Sequence, residues 1–97
     1  MGTYSFSEEA VKDLKEICDS VAKINPQYAS NLFDAIRNKS KLIANFPNLG
    51  KNYYKLKPNL KGFLVDDYVI FYYPQSNGII ITRVINGYRD LEKFFSE

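Results

Sequence analysis

Residues 61–90 read KGFLVDDYVIFYYPQSNGIIITRVINGYRD, and the fold turns on how this stretch is read. Val69 to Tyr73 and Ile79 to Ile85 are apolar runs rich in β-branched and aromatic residues, the composition of strands. Between them Pro74-Gln75-Ser76-Asn77-Gly78 contains an Asn-Gly pair. Both of its residues tolerate positive φ, so the two runs are predicted to close as a hairpin. Lys61 to Val65 is predicted to form the preceding strand. These runs are too continuously apolar for a sheet wetted on one face, so both faces need cover.

The cover comes from the flanking segments. Thr3-Tyr4-Ser5-Phe6 alternates polar and aromatic residues, as a short strand does. Ser7 then offers an N-cap, and Glu8 and Glu9 fall in the first helical turn, where the helix dipole favours negative charge. Ala10, Leu14, Ile17, Val21 and Ile24 recur at helical spacing and predict an amphipathic helix over 7–24. Asn25-Pro26 restarts a helix, with Asn as cap and Pro at the first position. Ala29, Leu32, Ile36, Ile43 and Phe46 form its stripe, with Phe33 alongside, and Pro47 ends it. Two helices joined so closely fold back as an antiparallel hairpin.

After the loop 46–50, Asn52 to Lys57 alternates loosely through Tyr54 and Leu56 and is predicted as a strand. Gly87 breaks the last strand, and Tyr88 to Ser96 is predicted as a terminal helix. The expected class is therefore α+β in the order β-α-α-β-β-β-β-α. It comprises an N-terminal strand, an antiparallel two-helix hairpin packed on a mainly antiparallel sheet, and a short C-terminal helix. The first strand is expected inside the sheet or at its edge. A chain of 97 residues is expected to be one domain, 1–97.

Composition narrows the chemistry. There is no His, which removes the commonest general base, the commonest metal ligand and any Ser-His or Cys-His pair. Neither a glycine-rich phosphate loop nor an HExxH motif is present, so no metal and no cofactor are expected. Cys18 is the single cysteine. It is read as a small packing residue, and a reducing cytoplasm is the expected home. No run approaches the length of a membrane span, and no basic-then-apolar leader opens the chain. Asn38-Lys39-Ser40 matches a glycosylation acceptor by chance. Asp66 and Asp67 would point to opposite faces of a strand and are read as a solvated turn.

What remains is cationic and aromatic. The net charge is +2, but residues 35–65 carry Arg37, Lys39, Lys41, Lys51, Lys55, Lys57 and Lys61 without one acid. Residues 1–34 and 66–97 are net acidic, at −3 and −2. Such a bias makes a local positive patch on a nearly neutral protein. Lys61, Arg83 and Arg89 are expected near Tyr72, Tyr73 and Tyr88. Arg83 is the lone charge in Ile79–Ile85, where burial demands a partner. It is read either as pairing with a nearby acid such as Asp90 or as an arginine held rigid for an anionic partner.

These pieces, in this order, resemble the RelE/ParE superfamily of bacterial type II toxins, and its ParE branch in particular. The resemblance is carried by Tyr4-Ser5-Phe6-Ser7 with Ala10 and Asp13-Leu14, and by Asn45-Phe46-Pro47-Asn48-Leu49-Gly50-Lys51. Further on it rests on Leu60-Lys61-Gly62-Phe63, Tyr68 to Tyr73, Ile81 to Ile85 and Gly87-Tyr88-Arg89-Asp90-Leu91. It implies a cognate antitoxin, ParD-like or other, whose disordered segment folds around the toxin in a hetero-oligomer. It also implies one of two activities, inhibition of DNA gyrase or ribosome-dependent cleavage of mRNA. Lys61 stands where the superfamily usually has Arg, Arg83 matches the strand arginine, Asn86 stands where a His is common, and Tyr88 is nearest to the C-terminal Tyr.

Three readings follow. In the first, a gyrase inhibitor acts by protein–protein contact through Lys61, Tyr72, Arg83, Tyr88 and Arg89. In the second, an endoribonuclease uses Lys61, Arg83 and Tyr88. In the third, the fold serves another target or has lost toxicity, since a lysine ammonium cannot reproduce the bidentate phosphate contact of an arginine. Antitoxin binding is expected to use apolar surface on the helical hairpin and beside the sheet.

Overall fold

The structure, a computed structural model, describes residues 2–96. Its elements are β1 (Thr3–Phe6), α1 (Glu8–Ala22), α2 (Pro26–Asn45), β2 (Lys51–Asn52), β3 (Lys61–Val65), β4 (Tyr68–Gln75), β5 (Gly78–Asn86) and α3 (Leu91–Ser96). The five strands form one sheet in the order β1-β5-β4-β3-β2. The expected α+β architecture is the one observed. β1 lies at the edge and runs parallel to β5, while every other pair is antiparallel.

The helices start where their caps dictate. Ser7 Oγ accepts from the Ala10 amide at 3.1 Å and Asn25 Oδ1 accepts from Tyr28 at 3.0 Å, so each cap satisfies an orphan N–H. α1 stops at Ala22, two residues short of the predicted end, and Ile24 is 89% exposed instead of closing the stripe. Phe46, assigned to the second stripe, is exposed as the residue capping α2.

The helical hairpin covers one face of the sheet. Leu14, Leu32 and Ile36 pack there on Ile70, Tyr72 and Ile81 in the main core. The opposite face holds a smaller cluster of Leu60, Val69, Phe71 and Ile85, covered by Tyr53, Leu56 and α3. Phe71 meets Tyr53 and Phe95 edge to face, with ring centroids 5.0 and 4.9 Å apart. This two-sided cover is what the unbroken apolar strands required.

Three sequence expectations are corrected. The strand predicted over Asn52–Lys57 is only two residues long, because the chain turns after the Tyr53 amide donates to the Leu60 carbonyl at 2.8 Å. The inward residues are Tyr53 and Leu56, three apart as in a helical turn, and Tyr54 faces outward. The terminal helix begins at Leu91, since Tyr88 and Arg89 are held in a turn closed by Asn86 and Asp90 caps the helix by accepting from the Lys93 amide. Finally, the hairpin turn is Ser76-Asn77, with Gln75 opposite Gly78. Gly78 is already a strand residue at φ +148°, and a Cβ there would lie 1.8 Å from the Thr3 carbonyl oxygen. Glycine is needed for the close approach of β1 as well as for its φ.

One irregularity sets up the rest. Between β4 and β5, Phe71 is opposite Arg83 but Tyr72 is opposite Ile81, so Thr82 is an extra residue, a β-bulge. The insertion lets Ile81 and Val84 both face the helices and turns Arg83 to the face of Phe71.

Candidate functional site

Arg83 is bound on two sides. Its Nε donates to Asp13 Oδ2 at 2.7 Å and its Nη2 to Asp13 Oδ1 at 2.8 Å, a bidentate fork. The guanidinium also lies over the Phe94 ring, 4.5 Å from its centroid. Its hydrogen bonding to Asp13 pushes the Arg83 guanidinium further up its already high range, and burial offsets part of that rise.

Asp13 has a second task. β1 pairs with β5 only as far as Ile81, which leaves the edge of β5 bare beyond it. There the Val84 amide donates to Asp13 Oδ2 at 3.0 Å, and Ser7 Oγ donates to the Thr82 carbonyl at 2.9 Å. Side chains from the start of α1 thus stand in for the missing strand. The acid expected beside Arg83 exists, but it is Asp13 and not Asp90. A signal for it was present, since Asp13 lies three residues after Ala10 and four before Ile17, on the buried stripe of α1.

Lys61 stands elsewhere. It is opposite Tyr72 on β4 and so shares the helix-side face, whereas Arg83 is opposite Phe71 on the other. Lys61 is 7% exposed. Its Nζ donates to Asn52 Oδ1 at 2.5 Å and lies 5.7 Å from the Tyr54 ring centroid. The residues offered for RNA cleavage therefore do not converge. Arg83 lines a cleft of about 340 Å³ with Asp13, Glu16, Tyr68, Asn86 and Arg89. Lys61 lines another of about 420 Å³ with Asn48, Tyr54, Asn59, Tyr73 and Gln75.

Tyr88 belongs to neither cleft. It is 84% exposed, its hydroxyl 3.5 Å from Asp67 Oδ1, at the limit of hydrogen bonding. Asn86, at the position where the resemblance expects His, has a turn-forming role, its Oδ1 accepting from the Tyr88 amide at 2.9 Å. Arg89 is exposed on the same turn, 5.7 Å from the Phe94 ring centroid.

Tyr72 is corrected as a binding residue, because it is fully buried. Its hydroxyl donates to the Pro47 carbonyl at 2.6 Å and accepts from the Gly50 amide at 3.1 Å, which pins the 46–50 loop to the sheet. Asp66 and Asp67 form the exposed β3–β4 turn, with Asp66 at φ 51°. Asp66 accepts from the Tyr28 hydroxyl at 2.6 Å and pushes its pKa up to about 12. Burial, and then the charge of Asp19, raise the Cys18 thiol, which makes its thiolate scarcer.

An apolar groove of about 590 Å³ runs between α1 and α2, with Phe6, Val11, Leu14, Cys18, Ala29 and Phe33 among its walls. Among the described residues, no group of three or more His, Cys, Asp or Glu is placed to hold a metal ion, and no helix is long and apolar enough to cross a membrane.

Comparison with known proteins agrees with this fold. A solved structure described as "Chromosomal ParDE TA system from P. aeruginosa" superimposes with a TM-score of 0.73 at 19% identity, over 89% of this chain and 96% of that one. At that identity the likeness is one of fold. No curated protein matches the chain. The family described as "ParE toxin of type II toxin-antitoxin system, parDE" matches residues 4–91. With nearly the whole chain matched and the sheet-and-hairpin architecture in place, the chain belongs to the ParE toxin family of type II toxin–antitoxin systems.

Proposed function

We propose that this protein is the toxin of a type II pair that inhibits DNA gyrase by binding it, and that a cognate antitoxin neutralises it in a hetero-oligomer. The observation that carries the binding mode is the separation of Lys61 and Arg83 on opposite faces of the sheet. Cleavage of RNA needs an acid–base group and a charge-stabilising group around one phosphate. Here Arg83 is engaged by Asp13, Tyr88 projects from an outer turn, and Asn86 holds that turn. Lys61, Arg83, Tyr88 and Arg89 therefore act as contact and supporting residues, with Tyr88 and Arg89 the most exposed.

The antitoxin's place is the groove between α1 and α2. Its apolar walls suit the hydrophobic face of an amphipathic helix. In the cell such a pair would restrain growth in the cytoplasm and stabilise a plasmid that carries it.

The test is gyrase supercoiling with purified protein. The expected result is loss of supercoiling with accumulation of cleaved DNA, weakened in Tyr88→Ala and Arg89→Ala. Full supercoiling together with mRNA cleavage in programmed ribosomes would overturn the reading in favour of an endoribonuclease.

A further inference from the structure

Lys61 presents a problem of charge. A buried ammonium needs a counter-ion or a full set of acceptors. Among the described residues Lys61 pairs with no carboxylate, and its hydrogen-bond acceptor is the neutral amide of Asn52. An ammonium has three donors. The cleft it lines supplies neutral amides and phenols from Asn48, Tyr54, Asn59, Tyr73 and Gln75, and no acid. The chain around it, residues 35–65, carries seven cations and no acid. An anion from outside would complete the partners of the Lys61 ammonium.

The surroundings say what carries that anion. The cleft borders the 46–50 loop, where Phe46 and Leu49 are exposed, Leu49 by 60%. Tyr54, a wall of the cleft, is half exposed. A polynucleotide offers Leu49 only a thymine methyl or a base face, and the cleft has no guanidinium to fork onto a phosphate. A protein segment has both a carboxylate and a neighbouring apolar side chain.

We propose that the Lys61 cleft is a carboxylate-recognition site. It takes an aspartate or glutamate side chain of a protein partner, and the partner's adjoining apolar residue sits on Leu49 and Tyr54. The bound carboxylate accepts from Lys61 Nζ and from the amide side chains of the cleft. The site stands independently of gyrase as the target, because any acidic segment of this chemistry meets it.

The experiment titrates the isotope-labelled whole protein with the capped tripeptide Leu-Glu-Phe and follows its backbone amides by NMR. Leu-Gln-Phe, inorganic phosphate and a thymidine decanucleotide are the competing probes. Saturable shifts at Asn48, Asn59, Lys61 and Gln75 are expected with the Glu peptide, and about tenfold weaker binding with its Gln counterpart. Lys61→Met, which keeps the apolar stem, abolishes the preference for Glu, and Leu49→Ser weakens both peptides while keeping that preference. Equal binding of the Glu and Gln peptides overturns the proposal, and that comparison needs no variant to fold. Absence of saturable shifts up to the solubility of the peptide overturns it as well. Tighter binding of the oligonucleotide overturns it in favour of nucleic acid, and phosphate binding as tight as the peptide overturns the protein partner. None of these outcomes depends on gyrase inhibition.

Discussion

Arg83 and Lys61 are cations on strands of one sheet, yet they are held in opposite ways. Arg83 keeps 29% of its side chain exposed and meets a carboxylate that forks onto it and also caps the neighbouring backbone amide. Lys61 is the more buried of the two and has only a neutral amide and a ring face. Burial alone therefore does not separate a structural charge from a functional one. A charge satisfied within the fold is a strut, whereas a buried charge that the fold leaves unneutralised is open to something outside.

Stability measurements tell the two cations apart. Asp13→Ala removes three hydrogen bonds, all accepted by its carboxylate and two of them from a cation, and leaves Arg83 without its counter-ion. A loss of about 2–3 kcal/mol is expected, read as a fall in the urea midpoint at constant slope. Lys61→Met should change stability by less than about 1 kcal/mol in either direction, because it exchanges an unneutralised ammonium for an apolar end of similar length. If both variants cost the same, the contrast fails.

A smaller effect tests the loop beside the Lys61 cleft. Tyr72→Phe keeps the ring in the core but removes the partner of the Pro47 carbonyl and the Gly50 amide. A loss of about 1–2 kcal/mol is expected. Faster hydrogen exchange at the Gly50 amide would localise it to the loop.

The smallest effect lies on the surface, where the Tyr28–Asp66 bond joins α2 to the β3–β4 turn. The hydrogen bond to Asp66 raises Tyr28 to about 12. Above the ordinary tyrosine value near 10 the unfolded chain loses this proton while the fold keeps it. The contribution of Tyr28 is therefore complete below about pH 10 and is lost as pH rises toward 12. Absorbance titration of Asp66→Asn against the parent should show one tyrosine ionising earlier. An unchanged titration curve would remove this bond from the account.

Much of this architecture was legible in the sequence, and the exceptions have physical causes. Strands, helices and caps follow from local period and from residues such as Ser7, Asn25 and Pro26. The segment after β2 was misread because Tyr54 and Leu56 imitate a period of two while the packed residues are Tyr53 and Leu56. The bulge at Thr82 leaves no trace in a continuous apolar run, so neither the face of Arg83 nor its distance from Lys61's side of the sheet could be read. The burial of Lys61 is likewise a product of non-local cover, set by where β2 ends and where the 46–50 loop is pinned. The cationic bias of residues 35–65 was plain, but which of its members is buried was not.

The parallel seat of β1 beside β5 governs when the protein can finish forming. Thr3 bonds Asn77 across 74 positions, and the helices pack on Ile70, Tyr72 and Ile81. At about 5–20 residues per second of synthesis, the first strand waits about 4–15 s for its partner to be made. Until then the helical hairpin has no sheet to cover, so each new copy passes its first seconds with an incomplete core. Ribosome-stalled chains that stop short of Gly78 should remain protease-sensitive, and early protection would show that the hairpin stands without the sheet.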